Sequence, residues 1–315
     1  MIPRSLRPLW SLVALAVLTP LVAACSSIGA DDASAGAKPE VVAAFYPFEF
    51  LADRVAGDNA VVSNLTTPGV EPHDMQLTPR QVAELSDADL VIYEAGFQPA
   101  VDTAIEQSPP REALEVVEVL SRPKTPTPAV HRTSTNTDAL LEGDPHLWLD
   151  PTLLVPVTEQ IADDLASAAP THAEDFKANA ASLIKDLLQL DREFTAGLES
   201  CERRDIVTSH AAFAYLANRY DLTMIPIAGL SPDVEPSPER LAEIQELIRS
   251  RNITTVFSET LGSKQYAETL VGDLGVSAAV LDPIEGLTDQ ASTDDDYLSL
   301  MRTNLTAMQE ANDCQ

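Results

Sequence analysis

Short apolar runs alternate with helical patterns through the first part of the chain. The runs are rich in β-branched residues, and the segments between them repeat apolar positions at three- and four-residue spacing. The runs predict strands at 41–45, 60–65, 88–93 and 116–120, and the intervening patterns predict helices at 48–55, 78–85 and near Val101. This alternation is typical of parallel βαβ units.

The pattern changes in the middle of the chain. Residues 121–144 carry Pro, Thr, Ser and Asn, predict a surface loop, and contain His131. A helix is predicted at 152–168, and Pro170 ends it. Apolar residues then recur at helical spacing at Phe176, Ala180, Leu183, Leu187, Leu190, Phe194 and Leu198. They predict one helix of roughly thirty residues, about 40 Å long at 1.5 Å per residue, which suits a rigid connector between two lobes.

The alternation of strands and helices resumes beyond this connector. Strands are predicted at 205–209, 222–227, 253–258 and 276–281, and helices at 211–220, 241–251, 266–274 and 296–312. We therefore expect an α/β fold in which two lobes with mostly parallel sheets are joined by one long helix. The expected divisions are a signal peptide at 1–24, a tether at 25–38, a first lobe at 39–168, the connecting helix at 169–200 and a second lobe at 201–315.

The amino-terminal segment has the order of a secretory signal. Arg4 and Arg7 precede an apolar run at 9–22, and Ala23 and Ala24 then precede Cys25. Small residues followed by cysteine resemble the bacterial lipobox, in which the cysteine is lipidated and becomes the mature amino terminus. Residues 26–38 read as a flexible tether. We therefore expect an extracytoplasmic protein anchored to the cell membrane through Cys25.

The chain is strongly acidic, with 20 Lys and Arg against 49 Asp and Glu and a formal net charge of −29. Such a surface repels nucleic acid, which is therefore not an expected partner, and it modestly concentrates cations. With Cys25 assigned to lipid, Cys201 and Cys314 remain. An even pair in an oxidising compartment predicts one disulfide that closes a loop of over a hundred residues.

Three of the five histidines occupy similar places. His210 directly follows a predicted strand, His73 lies in the segment after the second strand, and His146 follows the long loop. Asp282 directly follows the last predicted strand. Ligands of open α/β sheets bind at the carboxyl ends of the strands, so these side chains predict a site in the cleft between the lobes. Three imidazoles and one carboxylate match four-coordinate zinc.

Other polar residues near these positions are candidate auxiliaries. Glu259 follows a predicted strand, and Glu71 lies two residues before His73. We interpret both carboxylates as possible hydrogen-bond partners of ligating imidazoles, although solvated loop charges would give the same pattern. His131 in the loop is at most an auxiliary capture residue, and His172 at the start of the connector is expected to be exposed.

At these residues the chain resembles the metal-binding lipoproteins of bacterial ABC importers for zinc and manganese, the cluster A-I or zinc-uptake family. The resemblance rests on motifs that occur in the same order over nearly all of the mature chain. They are Phe45-Tyr46-Pro47, the segment from Gly69 to Pro79, the block from Asp144 to Pro151, Thr208-Ser209-His210 with Phe213, and Leu281-Asp282-Pro283. The block that contains His-Leu-Trp-Leu-Asp-Pro is the most specific.

The resemblance implies two α/β lobes joined by a rigid helix, a metal between them, and an ABC importer permease as partner; we expect a monomer. Manganese members of this family usually have glutamate at the third ligand position, where this chain has His210. A histidine at this position resembles the zinc-binding members of the family. Many zinc members also carry a long His-rich loop before the second ligand. In this chain the corresponding residues 121–144 contain a single histidine, His131.

Three other functions are compatible with parts of the sequence. A manganese or iron carrier would use the same fold, and a surface adhesin would share the lipid anchor. A zinc hydrolase would need an open coordination position and a nearby base. Glu259 could be that base, but the chain has no His-Glu-x-x-His motif. We therefore expect a zinc-binding transport protein rather than an enzyme.

Overall fold

The computed structural model describes residues 38–122, 143–292 and 294–315. They contain two four-stranded sheets, and all strand pairs in both are parallel. The first sheet has β1 (Glu40–Ala43), β2 (Val61–Asn64), β3 (Leu90–Tyr93) and β4 (Ala113–Glu115), in the order β2-β1-β3-β4. The second has β5 (Asp205–Thr208), β6 (Thr223–Pro226), β7 (Thr255–Ser258) and β8 (Ser277–Val280), in the equivalent order β6-β5-β7-β8.

Ten α-helices connect and cover these strands within the described residues. They are α1 (Tyr46–Ala56), α2 (Pro79–Asp87), α3 (Pro99–Gln107), α4 (Val116–Ser121), α5 (Leu154–Ala168), α6 (Ala173–Gly197), α7 (Ala214–Arg219), α8 (Pro238–Ser250), α9 (Gln265–Leu274) and α10 (Tyr297–Asn312). The predicted class, two parallel-sheet α/β lobes with one long helix, is confirmed.

Local sequence signals account for several of these helices. Thr78 caps α2, because its side chain accepts the backbone N–H of Gln81 while the Gln81 side chain accepts the backbone N–H of Thr78. Proline occupies the first turn of α1, α2, α3 and α8, where its missing N–H costs no helical hydrogen bond. Helix starts are therefore set largely by short-range chemistry.

One predicted element is wrong. The apolar run at 116–120 forms helix α4 rather than a strand, and β4 occupies the three residues before it. Glu115 explains the change, because its carboxylate accepts the backbone N–H groups of Val117 and Glu118 and so caps a helix start. β-Branched composition alone did not reveal this cap.

The connecting helix α6 is buried along one face. Phe176, Leu183, Leu187, Leu190 and Phe194 are fully buried on that face. It packs against α5 and α1 of the first lobe and against α10 of the second. Burying such side chains contributes roughly 1.5–3 kcal/mol each. This helix therefore joins the two lobes through a shared apolar core.

Some predictions fall outside the described residues, namely the signal peptide, Cys25, most of the tether and His131. Within residues 38–122, 143–292 and 294–315, no helix combines the length and the apolar character needed to cross a membrane. The sulfur atoms of Cys201 and Cys314 lie within disulfide-bonding distance, where the two residues form an isolated antiparallel bridge.

A charged clasp ties α6 to the second lobe. Arg219 at the end of α7 donates two hydrogen bonds of 2.9 Å to the two carboxylate oxygens of Asp191 on α6. The hydroxyl of Tyr220 donates to the same carboxylate at 3.2 Å. A bidentate pair of this kind fixes geometry as well as adding energy.

We expect Asp191→Ala to lower the free energy of unfolding by about 1–3 kcal/mol, because it leaves a half-buried guanidinium and a buried hydroxyl without their acceptor. Glu193→Ala is the matched control on the same helix. It breaks a more exposed pair with Arg302 and should cost less than about 1 kcal/mol. Urea unfolding measures both; equal losses would show that the clasp adds nothing beyond a surface ion pair.

Candidate metal centre

Four buried side chains converge from the two lobes. His73 lies on the loop after β2, and His146 precedes a short 3-10 turn at Leu147–Leu149. His210 lies two residues after β5, and Glu285 lies on the loop after β8. The first two therefore extend from the first lobe and the other two from the second. One ligand atom from each residue lies within 4.8 Å of all the others.

The separations suit a tetrahedral ion. Oε1 of Glu285 lies 3.2 Å from Nε2 of both His146 and His210 and 3.5 Å from Nε2 of His73. The Nε2 atoms of His146 and His210 are 3.2 Å apart. A tetrahedral zinc site with bonds near 2.0–2.1 Å places its ligand atoms about 3.3 Å from one another. These four separations are therefore close to those of a four-coordinate site, and every pair of ligand atoms lies within 4.8 Å.

Two further carboxylates orient the buried imidazoles. Nδ1 of His146 lies 2.9 Å from Asp144, and Nδ1 of His210 lies 2.8 Å from Glu259. Each carboxylate also accepts the backbone N–H of the histidine that it contacts. These contacts hold the Nδ1 proton and direct Nε2 into the cluster, the arrangement that supports metal-ligating histidines.

Electrostatics bind the cluster together. Burial acts to lower the pKa of His210, but the carboxylates of Glu259 and Glu285 outweigh burial and raise that pKa to about 10. Burial opposes protonation of His146 too, yet Asp144 and Glu285 raise its pKa above the ordinary value. Burial also acts to raise the pKa of Glu285, but the surrounding imidazoles hold it well below its usual range. Protons on the imidazoles thus supply positive charge that a cation would supply instead.

Two polar atoms in the cluster have no hydrogen-bond partner among the described residues. They are Nε2 of His73 and Oε1 of Glu285, and both are buried. Leaving such atoms unsatisfied is costly unless they bind something. Three imidazole nitrogens and a carboxylate oxygen are a donor set that suits zinc, and copper or nickel, better than manganese. The residues present therefore fit a divalent transition metal.

The structure brings Glu285, rather than the predicted Asp282, to the three histidines. The carboxylate of Asp282 is buried elsewhere, where its Oδ1 accepts the backbone N–H of Ile284 at 2.8 Å. Sequence reasoning assumed that the residue at the strand end would be the ligand. Pro283 was the available signal, because an Asp-Pro pair favours a turn in which the aspartate binds its own backbone.

The other predicted residues take distinct positions. Glu259 contacts His210 directly. Glu71 accepts the backbone N–H of His73, and its own pKa is raised to about 8 by burial and by the nearby Glu285. His172 at the start of α6 is partly exposed and lies outside the cluster. Asp144 was missed as a partner of His146, although it stands two residues away.

Aromatic side chains enclose the first-lobe part of the centre. The ring of Phe97 meets His73 edge-on with centroids 4.6 Å apart, and Trp148 lies 5.3 Å from His146. Both aromatic side chains are buried. An apolar wall excludes water, and a lower local dielectric strengthens the interactions of the charged groups inside.

Comparisons with known proteins agree with this geometry. The family described as zinc-uptake complex component A, periplasmic (ZnuA), matches residues 41–311. The zinc-binding lipoprotein AdcA of Streptococcus pneumoniae is 33% identical over 308 residues, which are 96% of this chain and 61% of the relative. The high-affinity zinc uptake system protein ZnuA of Bacillus subtilis is 30% identical over 96% of this chain and 97% of its own length.

A solved structure shows the same architecture. The Zn(II)-bound ZnuA-like domain of S. pneumoniae AdcA superposes with a TM-score of 0.71 at 34% identity, over 88% of this chain and 99% of that domain. The chain spans less than two thirds of the length of the streptococcal AdcA relatives. It does match nearly all of the ZnuA-like domain.

We expect the protein to release at least one proton when it binds Zn²⁺ at pH 8. A histidine with an ordinary pKa near 6.5 would already be neutral there, whereas His210 with its raised pKa still holds a proton that the metal must displace. Affinity should consequently rise with pH toward about 10. Titration calorimetry in buffers of different ionisation enthalpy measures the proton count.

Glu71→Gln is the control for this measurement, because Glu71 also holds a proton in that pH range. A release that persists in Glu71→Gln belongs to the histidines. Heats that do not depend on the buffer would contradict the expected protonation of the metal-free site.

Proposed function

Because the chain belongs to the zinc-uptake complex component A family, we propose that it captures Zn²⁺ outside the cytoplasm and delivers it to the permease of an ABC importer. The observation that carries the proposal is the buried cluster of three imidazoles and one carboxylate at nearly tetrahedral spacing. A relative over almost its full length is named as a zinc uptake protein, and a zinc-bound domain shares the fold.

The proposed ligands are Nε2 of His73, His146 and His210 and one carboxylate oxygen of Glu285. Asp144 and Glu259 act on the metal indirectly, because each holds the Nδ1 atom of one ligating imidazole. Zinc then replaces imidazole protons as the positive charge beside Glu285. Binding and loss of protons are therefore coupled, and the affinity is lower at acidic pH.

Release requires the two halves of the ligand set to separate. His73 and His146 are held by the first lobe, and His210 and Glu285 by the second, so a small shift between lobes would break the coordination shell. We infer that the lobes comprise residues 39–168 and 201–315, with 169–200 as the connecting segment. The chain acts as a monomer in this scheme, and the permease supplies the force that opens the site.

The donor set favours zinc over the manganese or iron alternative. Manganese prefers oxygen ligands, whereas three of the four proposed donors here are imidazole nitrogens. His210 in particular supplies nitrogen where a carboxylate would favour manganese. A zinc hydrolase is not supported, because the family consists of solute-binding proteins of ABC transport and not of enzymes.

We expect metal-stripped protein to bind one Zn²⁺ far more tightly than Mn²⁺. His210→Ala should weaken zinc binding by at least about a hundredfold, because it removes one of four donors and leaves Glu259 buried without its imidazole. His172→Ala is the matched control, since this partly exposed histidine directly precedes α6 and lies outside the cluster. Competition against a chromophoric chelator measures each affinity.

Two outcomes would contradict the proposal. If the protein binds Mn²⁺ as tightly as Zn²⁺ or more tightly, the assignment of zinc as the cargo is wrong. Unchanged zinc affinity in His210→Ala would show that the cluster is not the binding site.

We also propose that the chain is a lipoprotein. The supporting observations are the basic, apolar and small-residue order that ends at Cys25 and the name lipoprotein carried by a streptococcal relative. Lipid chains on Cys25 would hold the protein at the membrane, with residues 26–38 as the tether. In that oxidising compartment we propose a disulfide between Cys201 and Cys314.

In a bacterial host that processes lipoproteins, we expect the full-length protein to sediment with the membrane fraction and to leave it when detergent is added. Cys25→Ser should appear in the soluble fraction instead, because it lacks the thiol that carries the lipid. Immunoblotting after ultracentrifugation measures the distribution. Cys201→Ser is the control for loss of a thiol elsewhere, and membrane retention of Cys25→Ser would overturn the lipid anchor.

A further inference from the structure

Glu285 stands on a turn, not on a helix or strand. Strand β8 ends at Val280, and helix α10 begins only at Tyr297. A ligand on irregular backbone must be held by other contacts if it is to meet three histidines within a few ångströms. The structure therefore needs a device that fixes residues 282–285.

The turn contains an unfavourable backbone conformation. Ile284, directly before Glu285, has φ of 57° and is fully buried. The left-handed region is unusual for a β-branched residue, since its Cβ crowds the following carbonyl oxygen. Such a conformation persists only where the surroundings determine it, and it occurs mainly at functional sites.

Side chains hold four backbone groups in this turn. Asn304 accepts the N–H of Asp282 at 2.8 Å and donates to the carbonyl of the same residue at 2.6 Å. The indole N–H of Trp148 donates to the carbonyl of Pro283 at 2.7 Å. Asp282 Oδ1 then accepts the N–H of Ile284. The three side chains are buried, so no bulk water competes for these bonds.

Asn304 is otherwise out of place. It lies on the buried face of α10 among Leu298, Met301, Leu305 and Met308. A buried amide is costly unless both of its ends are bonded. Here the oxygen and the nitrogen are both used on the backbone of a single residue, Asp282. Both hydrogen bonds of the Asn304 side chain therefore go to the turn that precedes Glu285.

We infer that Asp282 and Asn304 are positioning residues that present the Glu285 carboxylate to the metal, and that Asp282 is not itself a ligand. The inference rests on the proposed function, in which Glu285 is the fourth donor. Asn304 anchors the start of the turn, and Asp282 holds the N–H of Ile284 so that the next residue faces the histidines. Trp148 attaches the same turn to the segment of the first lobe that carries His146.

Substitutions at Asp282 separate a positioning residue from a ligand. Asp282→Ala removes the acceptor for the Ile284 N–H. We expect it to lower zinc affinity about 10–100-fold, the usual effect of removing a group that holds a metal ligand in place. Asp282→Asn keeps an oxygen acceptor at the same place and should bind zinc within about threefold of wild type. Replacing a carboxylate ligand by a neutral amide should instead weaken zinc binding clearly, because zinc binds Asp and Glu through carboxylate oxygens.

Cobalt supplies a readout that a loss of stability would not change. The visible absorption of bound Co²⁺ reports its coordination number and geometry. We expect the spectrum of Asp282→Ala to shift toward that of Glu285→Ala, and the spectrum of Asp282→Asn to match wild type. Asn304→Asp keeps the acceptor but loses the donor to the Asp282 carbonyl, and it should shift the spectrum in the same direction as Asp282→Ala.

Asp296→Ala is the matched control. Asp296 caps the same helix α10 by accepting the backbone N–H of Ser299 at 2.8 Å. Its loss should lower the melting temperature but leave zinc affinity and the cobalt spectrum unchanged. Melting curves of each metal-free variant show whether it is folded at the temperature of the titration.

The possible failures are distinct. If Asp282→Asn binds zinc as weakly as Asp282→Ala, the charge of Asp282 matters and the positioning role is overturned. Wild-type affinity in Asp282→Ala, with Glu285→Ala weakened, would overturn only this inference. Wild-type affinity in Glu285→Ala would instead overturn the fourth ligand of the proposed function.

Discussion

The structure depends on one electrostatic constraint, the burial of three imidazoles around a single carboxylate. Glu285 is almost fully buried, and its oxygen lies close to Nε2 of His73, His146 and His210. A buried carboxylate without positive charge beside it is strongly unfavourable, and protonated imidazoles without a carboxylate repel one another. Each component therefore requires the others, and a divalent cation can take the place of the imidazole protons.

Much of the surrounding fold serves to meet that constraint. His210 and Glu259 follow adjacent strands, β5 and β7, so the parallel order of the second sheet places the imidazole and its supporting carboxylate side by side. Asp144 supports His146 from two residues away in the chain. These carboxylates act on Nδ1 and leave Nε2 directed into the cluster. The orientation of the ligands thus comes from the two lobes and from local chain geometry together.

The connecting helix holds the two lobes in a common frame. Its apolar face packs against α1 and α5 on one side and α10 on the other, and the Arg219–Asp191 clasp adds a bidentate contact to α7. Trp148 crosses between lobes at the site itself, through its bond to Pro283, and Tyr297 of α10 donates to the Trp148 carbonyl at 2.6 Å. The spacing of the four clustered side chains is therefore tied to contacts that cross between the same two lobes.

Periodicity predicted the alternation of strands and helices and the long α6 from sequence alone. The sequence also singled out the three histidines that converge, although only His210 closely follows a strand. These patterns are local, because each depends on residues that are close together in the chain. The helix at 116–121 was missed because a single glutamate caps it. Glu285 was missed because a turn with positive φ at Ile284, held by the distant Asn304 and Trp148, replaces Asp282 with a residue three positions later. Only the tertiary structure decided that Glu285 and not Asp282 faces the histidines, because contacts between residues far apart in the chain determine the conformation of this turn.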